Sequence, residues 1–237
     1  MPIDKKGSGG GGGTKILPAQ MPDLYDPNKT IRHVYDCNTS AGGTAPMPAT
    51  TSNFNSAVAT QIAMEDNRPC VFELTSSTTA NSSSAVGFIS AAAPPASNPT
   101  LTVYFKTPAV MNANTSIQIG TNSQGSADRT GLEIIGSTLQ GKVVIGGTTT
   151  QSGGTYTVAA NTWYIARIVY TSLSGAVCKL YSETGAELYS FTITVTMFVG
   201  TAVGLRASNS GTVAVSMCKV DMIEVITPIS NRFYLPV

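Results

Sequence analysis

The sequence predicts an all-β fold of two packed antiparallel sheets, and three observations predict it. Short runs rich in β-branched and aromatic residues recur between residues 70 and 226, separated at close spacing by Gly, Asn, Ser and Pro. In the best of these runs apolar and polar side chains alternate with period two, as in a strand with one buried face. No segment carries a long 3.6-residue period, so the helical crossovers that a parallel sheet requires are missing. A sandwich and a barrel both satisfy these observations.

The runs follow in order. Residues 1–52 read as a flexible, Gly/Pro-rich arm: a glycine tract over 7–13, then Lys15-Ile16-Leu17-Pro18, then a Pro-interrupted stretch with Met21, Leu24 and Tyr25. These apolar groups have no period and too little company for a core, so they are expected to pack on this domain or on a neighbouring subunit. Residues 55–64 suggest at most one short helical turn. Strands are expected over 70–74, 86–90, 101–105, 115–119, 132–135, 142–145 and 155–158, with Gly120, Gly131, Gly136 and Gly146-Gly147 read as strand ends. The clearest run is 163–170; then come 177–181, a hairpin turn at Glu183-Thr184-Gly185, and 188–199 with Ile193, Val195, Met197 and Val199 on one face. Residues 202–206 and 212–226 close the set, joined through Asn209-Ser210-Gly211. Lys219 and Asp221 share a parity that Glu224 breaks, although all three seek solvent. A bulge near Met222 reconciles them.

Composition bounds function. The chain has 237 residues, of which 11% are charged, and 14 Lys and Arg nearly cancel 13 Asp and Glu. A nucleic-acid binder carries a basic excess to neutralise phosphates; Lys5, Lys6 and Lys15 are a weak footprint, and nucleic acid is disfavoured as a partner. The glycine tract lacks the GxxxxGK[ST] spacing of a phosphate loop. Wholesale disorder is excluded by 42% hydrophobic residues and a mean hydropathy of +0.10. A surface of hydroxyls and amides offers little charge repulsion between copies, which favours assembly, including a homo-oligomer. Residues 1–20 hold no apolar run of secretory length, and no stretch of about 18 apolar residues exists to span a membrane. Cys37, Cys70, Cys178 and Cys218 form no CxxC pair and are expected to be free thiols in a chain made in a reducing cytoplasm.

Asn161-Thr162-Trp163-Tyr164, continuing through Arg167-Ile168-Val169-Tyr170, resembles the concanavalin-A-like lectin/glucanase group, in which a turn feeds a Trp-Tyr strand. The next strand (177–181), the turn at Thr184-Gly185, the strand 187–191, Val203-Gly204-Leu205 and the closing run 220–225 look like the elements that follow in that group. The resemblance covers residues 155–226 well and 53–154 loosely, and leaves out 1–50. It implies a jelly-roll β-sandwich over 53–226, preceded by the arm (1–52) and followed by a tail (227–237). The Gly-rich start and low-charge surface also look like bacteriophage virion proteins. That likeness implies a non-enzymatic structural subunit, a capsid decoration or a head- or tail-associated protein, made in the host cytoplasm and built into the virion. Its partners would be capsid or tail proteins. Ile16, Leu17, Met21, Leu24 and Tyr25 of the arm and Phe233, Tyr234 and Leu235 of the tail would make the assembly contacts.

The alternative is a lectin-like fibre domain that binds carbohydrate at a host surface. Sugar sites combine an aromatic platform with placed amides and hydroxyls, and Trp163, Tyr164 and Tyr181 are the candidate platform. Neighbours on one strand, Trp163 and Tyr164 must face opposite sides. A polysaccharide hydrolase is the distant third reading. His33 is the sole histidine and lies in the arm. Glycosidases need two carboxyl groups about 5–5.5 Å or about 6.5–9.5 Å apart, whereas Glu133 stands alone in its run and Asp221 and Glu224 are three residues apart. The best calcium loop, 122–128, offers one carboxylate beside Arg129, short of the about six to eight oxygens calcium takes. No catalytic residue, metal or cofactor is expected.

Overall fold

The computed structural model describes residues 30–36, 49–62, 64–68, 71–89, 98–122, 128–198 and 202–228. Every regular element among them is a strand, because the alternation seen in the sequence sorts side chains to two faces. The strands are β1 (Thr30–Asp36), β2 (Ala49–Phe54), β3 (Val58–Ile62), β4 (Val71–Thr75), β5 (Ser82–Ile89), β6 (Thr100–Lys106), β7 (Thr115–Asn122) and β8 (Arg129–Ile135). They continue with β9 (Thr138–Ile145), β10 (Thr148–Thr157), β11 (Trp163–Ser172), β12 (Gly175–Ser182), β13 (Glu187–Ile193), β14 (Ala202–Asn209) and β15 (Ser216–Pro228). Two antiparallel sheets result. The first runs β13-β12-β11-β6-β15-β4-β3, with β1 added along the far half of β15; the second runs β10-β9-β8-β7-β14-β5-β2. The protein is therefore a two-sheet antiparallel sandwich of jelly-roll type.

The core lies between the sheets. Leu101, Val103 and Phe105 of β6 and Tyr164, Ala166, Ile168 and Tyr170 of β11 face Ile117 and Ile119 of β7, Leu132 and Ile134 of β8 and Val203 and Leu205 of β14. At about 1.5–3 kcal/mol for each large apolar side chain buried, this layer supplies the main drive to fold. Cys178 and Cys218 are buried free thiols, as expected; Cys37 and Cys70 lie outside the described residues. Burial pushes both thiols well above the ordinary cysteine value, and for Cys218 the Glu73 charge adds to it.

The bulge in the last strand is present, but Asp221 and Glu224 do not reach solvent as expected: both are buried, and Asp221 is paired with Arg68. Val220 pairs with Phe105 and Met222 with Tyr104, so Asp221 is the extra residue. Core-facing parity shifts across it, from Val220 to Ile223 and Val225. The hairpin at 183–185 is closed by the Gly185 N–H donating to the Ser182 carbonyl at 3.0 Å, with Gly185 at φ +88°.

Other expectations change. Two strands fall inside the span read as an arm: β1 pairs with β15 over Thr30↔Pro228 to Asp36↔Met222, and β2 pairs with β5. The sandwich thus recruits residues before 53, because β15 is long enough to serve β4 with its first half and β1 with its second. Residues 55–64 hold the edge strand β3, not a helical turn; its polar Thr60 and Gln61 point to solvent, as an edge requires. The strand expected over 188–199 stops at Ile193, whose partner Ala176 lies at the start of β12. Beyond it no ladder remains, and the chain is held by Met197 N–H on the Leu173 carbonyl and Phe198 N–H on Thr130 Oγ1. Gly120 and Gly131 are not strand ends but sit inside β7 and β8, directly paired. The assembly-contact residues named for the arm (Ile16, Leu17, Met21, Leu24, Tyr25) and the tail (Phe233, Tyr234, Leu235) lie outside the described residues.

Candidate functional site

The two outer faces of the sandwich differ. On the first sheet, Trp163 and Tyr164 do face opposite sides. Tyr164 joins the core, its hydroxyl accepting from the Ala159 N–H at 2.8 Å. Trp163 turns outward but is only 6% exposed. The Arg68 guanidinium lies 3.9 Å from its ring centroid, and its Nε1–H donates to Asp66 Oδ2 at 2.8 Å. Arg68 is also paired with Asp221, the bulged residue, and with Glu183 at 2.6 Å. Lys106 Nζ holds Glu65 at 2.8 Å and Asp66 at 2.6 Å, and Lys219 Nζ holds Glu65 at 2.8 Å. Together these contacts strap the β3–β4 loop across the sheet. The Lys106 hydrogen bond holds both Glu65 and Asp66 below the usual carboxylate range. Tyr181, half-buried, packs beside Tyr104, Ile165 and Met222 on this face. Neither Trp163 nor Tyr164 presents an open ring to a ligand in this structure.

The second sheet offers the open polar face. Its strands alternate cleanly: Ser116 and Gln118 point away from the core while Ile117 and Ile119 enter it, and Arg206 and Ser208 do the same beside Leu205 and Ala207. Register then lines the polar residues up across strands. Ser83, Ser208, Ser116 and Ile135 form one row; Ala85, Arg206, Gln118, Glu133 and Gln140 form the next. Gly87, Gly204, Gly120, Gly131 and Lys142 form a third row.

That third row has a backbone cause. Gly120, Gly131 and Gly204 lie at φ +137°, +143° and +157°, a region only glycine occupies cheaply. A Cβ at Gly131 would lie 2.1 Å from the Ile119 carbonyl oxygen, and one at Gly120 2.1 Å from that of Thr130. Four adjacent strands therefore cross with no side chain between them. Across this bare strip Arg129 Nη2 and Lys142 Nζ each reach Glu133, at 2.9 Å. Burial pushes the Glu133 carboxyl up, but the Lys142 hydrogen bond and the charges of Arg129 and Lys142 outweigh it and hold the group below its ordinary value. Glu133 in turn accepts from Ser116 Oγ at 3.3 Å, which accepts from Gln118 Nε2 at 3.4 Å.

Where these rows reach the loops, a groove of about 410 Å³ opens, lined by Asn81, Asn114, Ser116, Gln118, Ile135, Arg206, Ser208, Asn209 and Ser210 among others. Asparagines set its rim. Asn209, buried, donates from Nδ2 to Ser76 Oγ and the Val213 carbonyl and accepts from the Gly211 N–H. Ser210 N–H donates to the Asn114 carbonyl, and Asn112 Oδ1 accepts from the Asn114 N–H. Arg206 Nη2 donates to Ser83 Oγ at 3.2 Å. Sequence reading named none of these as site residues. Their period-two alternation was visible, yet only the insertion of β14 between β5 and β7 brings them together.

Among the described residues no group of three or more His, Cys, Asp or Glu comes together as a metal site; most of the 122–128 loop lies outside them. No helix of the described residues is long and apolar enough to cross a membrane.

Comparison with known proteins adds the family. Residues 67–221 match the sequence profile described as SO2946-like, C-terminal domain. The chain belongs to the SO2946-like family. The crystal structure of a protein of unknown function, SO2946 from Shewanella oneidensis MR-1, is 28% identical; the match covers 91% of this chain and 95% of that one, with a TM-score of 0.76. The exoplasmic/lumenal domain of VIP36, solved in a Ca²⁺/Man2-bound form, shares the fold at 10% identity, 85% and 90% coverage and a TM-score of 0.54. A carbohydrate esterase of the Shiga toxin-encoding bacteriophage phi24B is a looser likeness, 16% identical over 82% of this chain and 96% of that one, and its TM-score of 0.49 carries no argument about activity. No curated protein matches the chain. These matches bear out the two-sheet sandwich fold and do not tie this SO2946-like chain to a phage particle.

Proposed function

We propose that this SO2946-like domain is a carbohydrate-binding module that holds a saccharide on the outer face of its second sheet without chemically altering it. The observation that carries the reading is the groove of about 410 Å³, a volume within the about 300–1,000 Å³ typical of ligand sites. Its lining suits a polyhydroxylated ligand. The side-chain amides of Asn81, Asn114 and Gln118 both donate and accept, the hydroxyls of Ser116, Ser208 and Ser210 do likewise, and Ile135, 46% exposed, offers apolar surface to a ring face. The sandwich is a frame that carries a mannose ligand in VIP36; the frame permits the reading and the groove supports it.

Binding without turnover follows from the carboxylates. Glu133 is the sole carboxylate among the described residues lining this face, and it is committed to Arg129 and Lys142. Glycoside hydrolysis by the usual routes needs a second carboxyl group as partner.

The test is a broad glycan array probed with the full chain, followed by calorimetry on any hit. Gln118→Ala is expected to weaken a hit by about tenfold, the cost of roughly one ligand hydrogen bond with its desolvated partner, with no reducing sugar released on prolonged incubation. An array with no hit refutes binding; sugar release abolished by Glu133→Gln refutes the absence of chemistry.

A further inference from the structure

One row of the second sheet extends beyond the groove. Phe54, Ser83, Ser208, Ser116 and Ile135 are directly paired from strand to strand across β2, β5, β14, β7 and β8. The row looks away from the core, since Val86, Ala207, Ile117 and Ile134 at the alternate positions enter it. Ile135 ends the row inside the groove, and Phe54 ends it outside, on the border strand of the sheet. The two lie four strand spacings or about 19 Å apart, with only serines between them. Phe54 is 55% exposed, so its ring is open where that of Trp163 is covered. A tight turn holds it there. Asn55 and Ser56 lie at φ +52° and +58°, and the Ala57 N–H closes the turn on the Phe54 carbonyl at 3.3 Å. Asn55 Nδ2 donates to the Ala80 carbonyl at 3.2 Å and the Asn81 carbonyl at 3.4 Å, which ties the turn to the groove's rim. Ser83 accepts from Arg206 Nη2 at 3.2 Å, so the polar floor continues over β5 towards Phe54.

We propose that the ligand is an extended oligosaccharide laid across the strands, with Phe54 stacking on a sugar ring at the opposite end of the row from Ile135. The inference rests on the glycan reading above and adds to it a chain-length requirement and a binding residue. A single exposed apolar side chain is ordinary on a protein surface. Two on one row, facing the same way with hydroxyls between, match a chain of pyranose rings, which presents apolar ring faces and hydroxyl edges. A protein partner is the poorer match. It takes roughly 800 Å² of surface with an apolar centre, whereas the centre of this row is polar and its apolar groups stand apart. A monosaccharide or disaccharide is too short to touch both ends. The turn fixes Phe54 before the ligand arrives, so little ordering of the protein opposes the contact.

Calorimetric titration of the full chain tests this with cello-, manno- and chito-oligosaccharides, each series running from the disaccharide to the hexasaccharide. In a series that binds, affinity is expected to rise at least about tenfold from the shortest member to the longest, the worth of partly burying one phenyl ring. That rise should vanish in Phe54→Ala and persist in Phe54→Trp. It should also survive in Leu173→Ala, which removes an exposed apolar side chain from the β11–β12 hairpin. Equal affinity for disaccharide and hexasaccharide overturns the extended-chain inference and leaves the glycan reading standing. A rise that persists in Phe54→Ala, or one lost equally in Leu173→Ala, overturns the assignment to Phe54. Binding by no member of the three series overturns the inference, and the broad array then decides the glycan reading by itself. The length comparison uses the unaltered protein, so it decides the matter even where Phe54→Ala does not fold.

Discussion

Replacing Gly131 by alanine is the sharpest perturbation of the glycine row. The backbone there lies at φ +143°, where a side chain costs of order 1–3 kcal/mol in strain. The new Cβ would stand 2.1 Å from the Ile119 carbonyl oxygen and 2.8 Å from Ile168 Cδ1. The first neighbour is backbone in the paired strand and cannot swing aside, so the strands must separate locally. Overpacking of this kind adds about 1–3 kcal/mol. The sum centres near 4 kcal/mol, a large share of the about 5–15 kcal/mol that holds a domain together. For a chain of this length the midpoint of thermal unfolding should fall by roughly 8–16 °C. Gly154→Ala is the control, because nothing lies within 4 Å of its Cβ and its φ is not left-handed; it should change the midpoint by about 2–4 °C at most, in the stabilising direction. Paired melts followed by far-ultraviolet circular dichroism measure both. If Gly131→Ala melts with Gly154→Ala, the close approach of the strands is not a structural requirement and the bare strip on this face has no backbone cause.

Arg68→Ala should destabilise the fold by breaking its buried ion pair with Asp221, and it uncovers the sole tryptophan, so Trp163 emission should shift to longer wavelength; unchanged emission would contradict the cation–π cover. Lys106→Met should lower the melting midpoint at neutral pH. Glu65 and Asp66 have folded values below their unfolded ones, so the stabilisation they draw from Lys106 is complete above the ordinary carboxylate range and is lost as pH falls through the depressed values. The gap between wild type and Lys106→Met should therefore narrow below about pH 4, and a gap constant from pH 7 to pH 3 would refute the sign. Cys178 and Cys218 should resist iodoacetamide at pH 8 until denaturant is added, as peptide mapping by mass spectrometry would show; labelling in the native state would contradict their burial.

Much of the sandwich is legible in the sequence because strand periodicity is local. The runs around Val103, Ile168 and Leu180 declare one buried face each, and the mismatch between Asp221 and Glu224 declares the bulge that β15 contains. What is not legible depends on partners far along the chain. β1 is a strand because the second half of β15 is there to pair with it, and nothing within residues 30–36 says so. Gly120 and Gly131 look like turn residues in isolation; only their pairing in β7 and β8, next to Gly204, shows them as a place where backbones approach. The candidate site was hidden for the same reason. Gln118, Glu133 and Arg206 belong to three strands, and Arg206 reaches the row through β14, which the chain makes more than 60 residues after β8.

The aromatic residues point to the first sheet for an intelligible reason. A Trp-Tyr pair is the most conspicuous chemistry in a chain with one tryptophan, but conspicuous rings are also what a protein uses to anchor a loop. Arg68 covers the Trp163 ring at 3.9 Å, and the Lys106, Glu65 and Asp66 pairs fix that cover in place. A sugar reaching Trp163 would have to displace the guanidinium and break its buried pair with Asp221, a cost set against the about 4–8 kcal/mol available to a millimolar or micromolar ligand. At the Gln118 groove no such cover has to be removed. Its amides, hydroxyls and the Arg206 guanidinium line an opening of about 410 Å³, and the glycine strip beside them keeps Arg129 and Lys142 within reach of Glu133. This free-energy comparison, more than the abundance of aromatic surface, is the reason the proposed saccharide site lies on the second sheet.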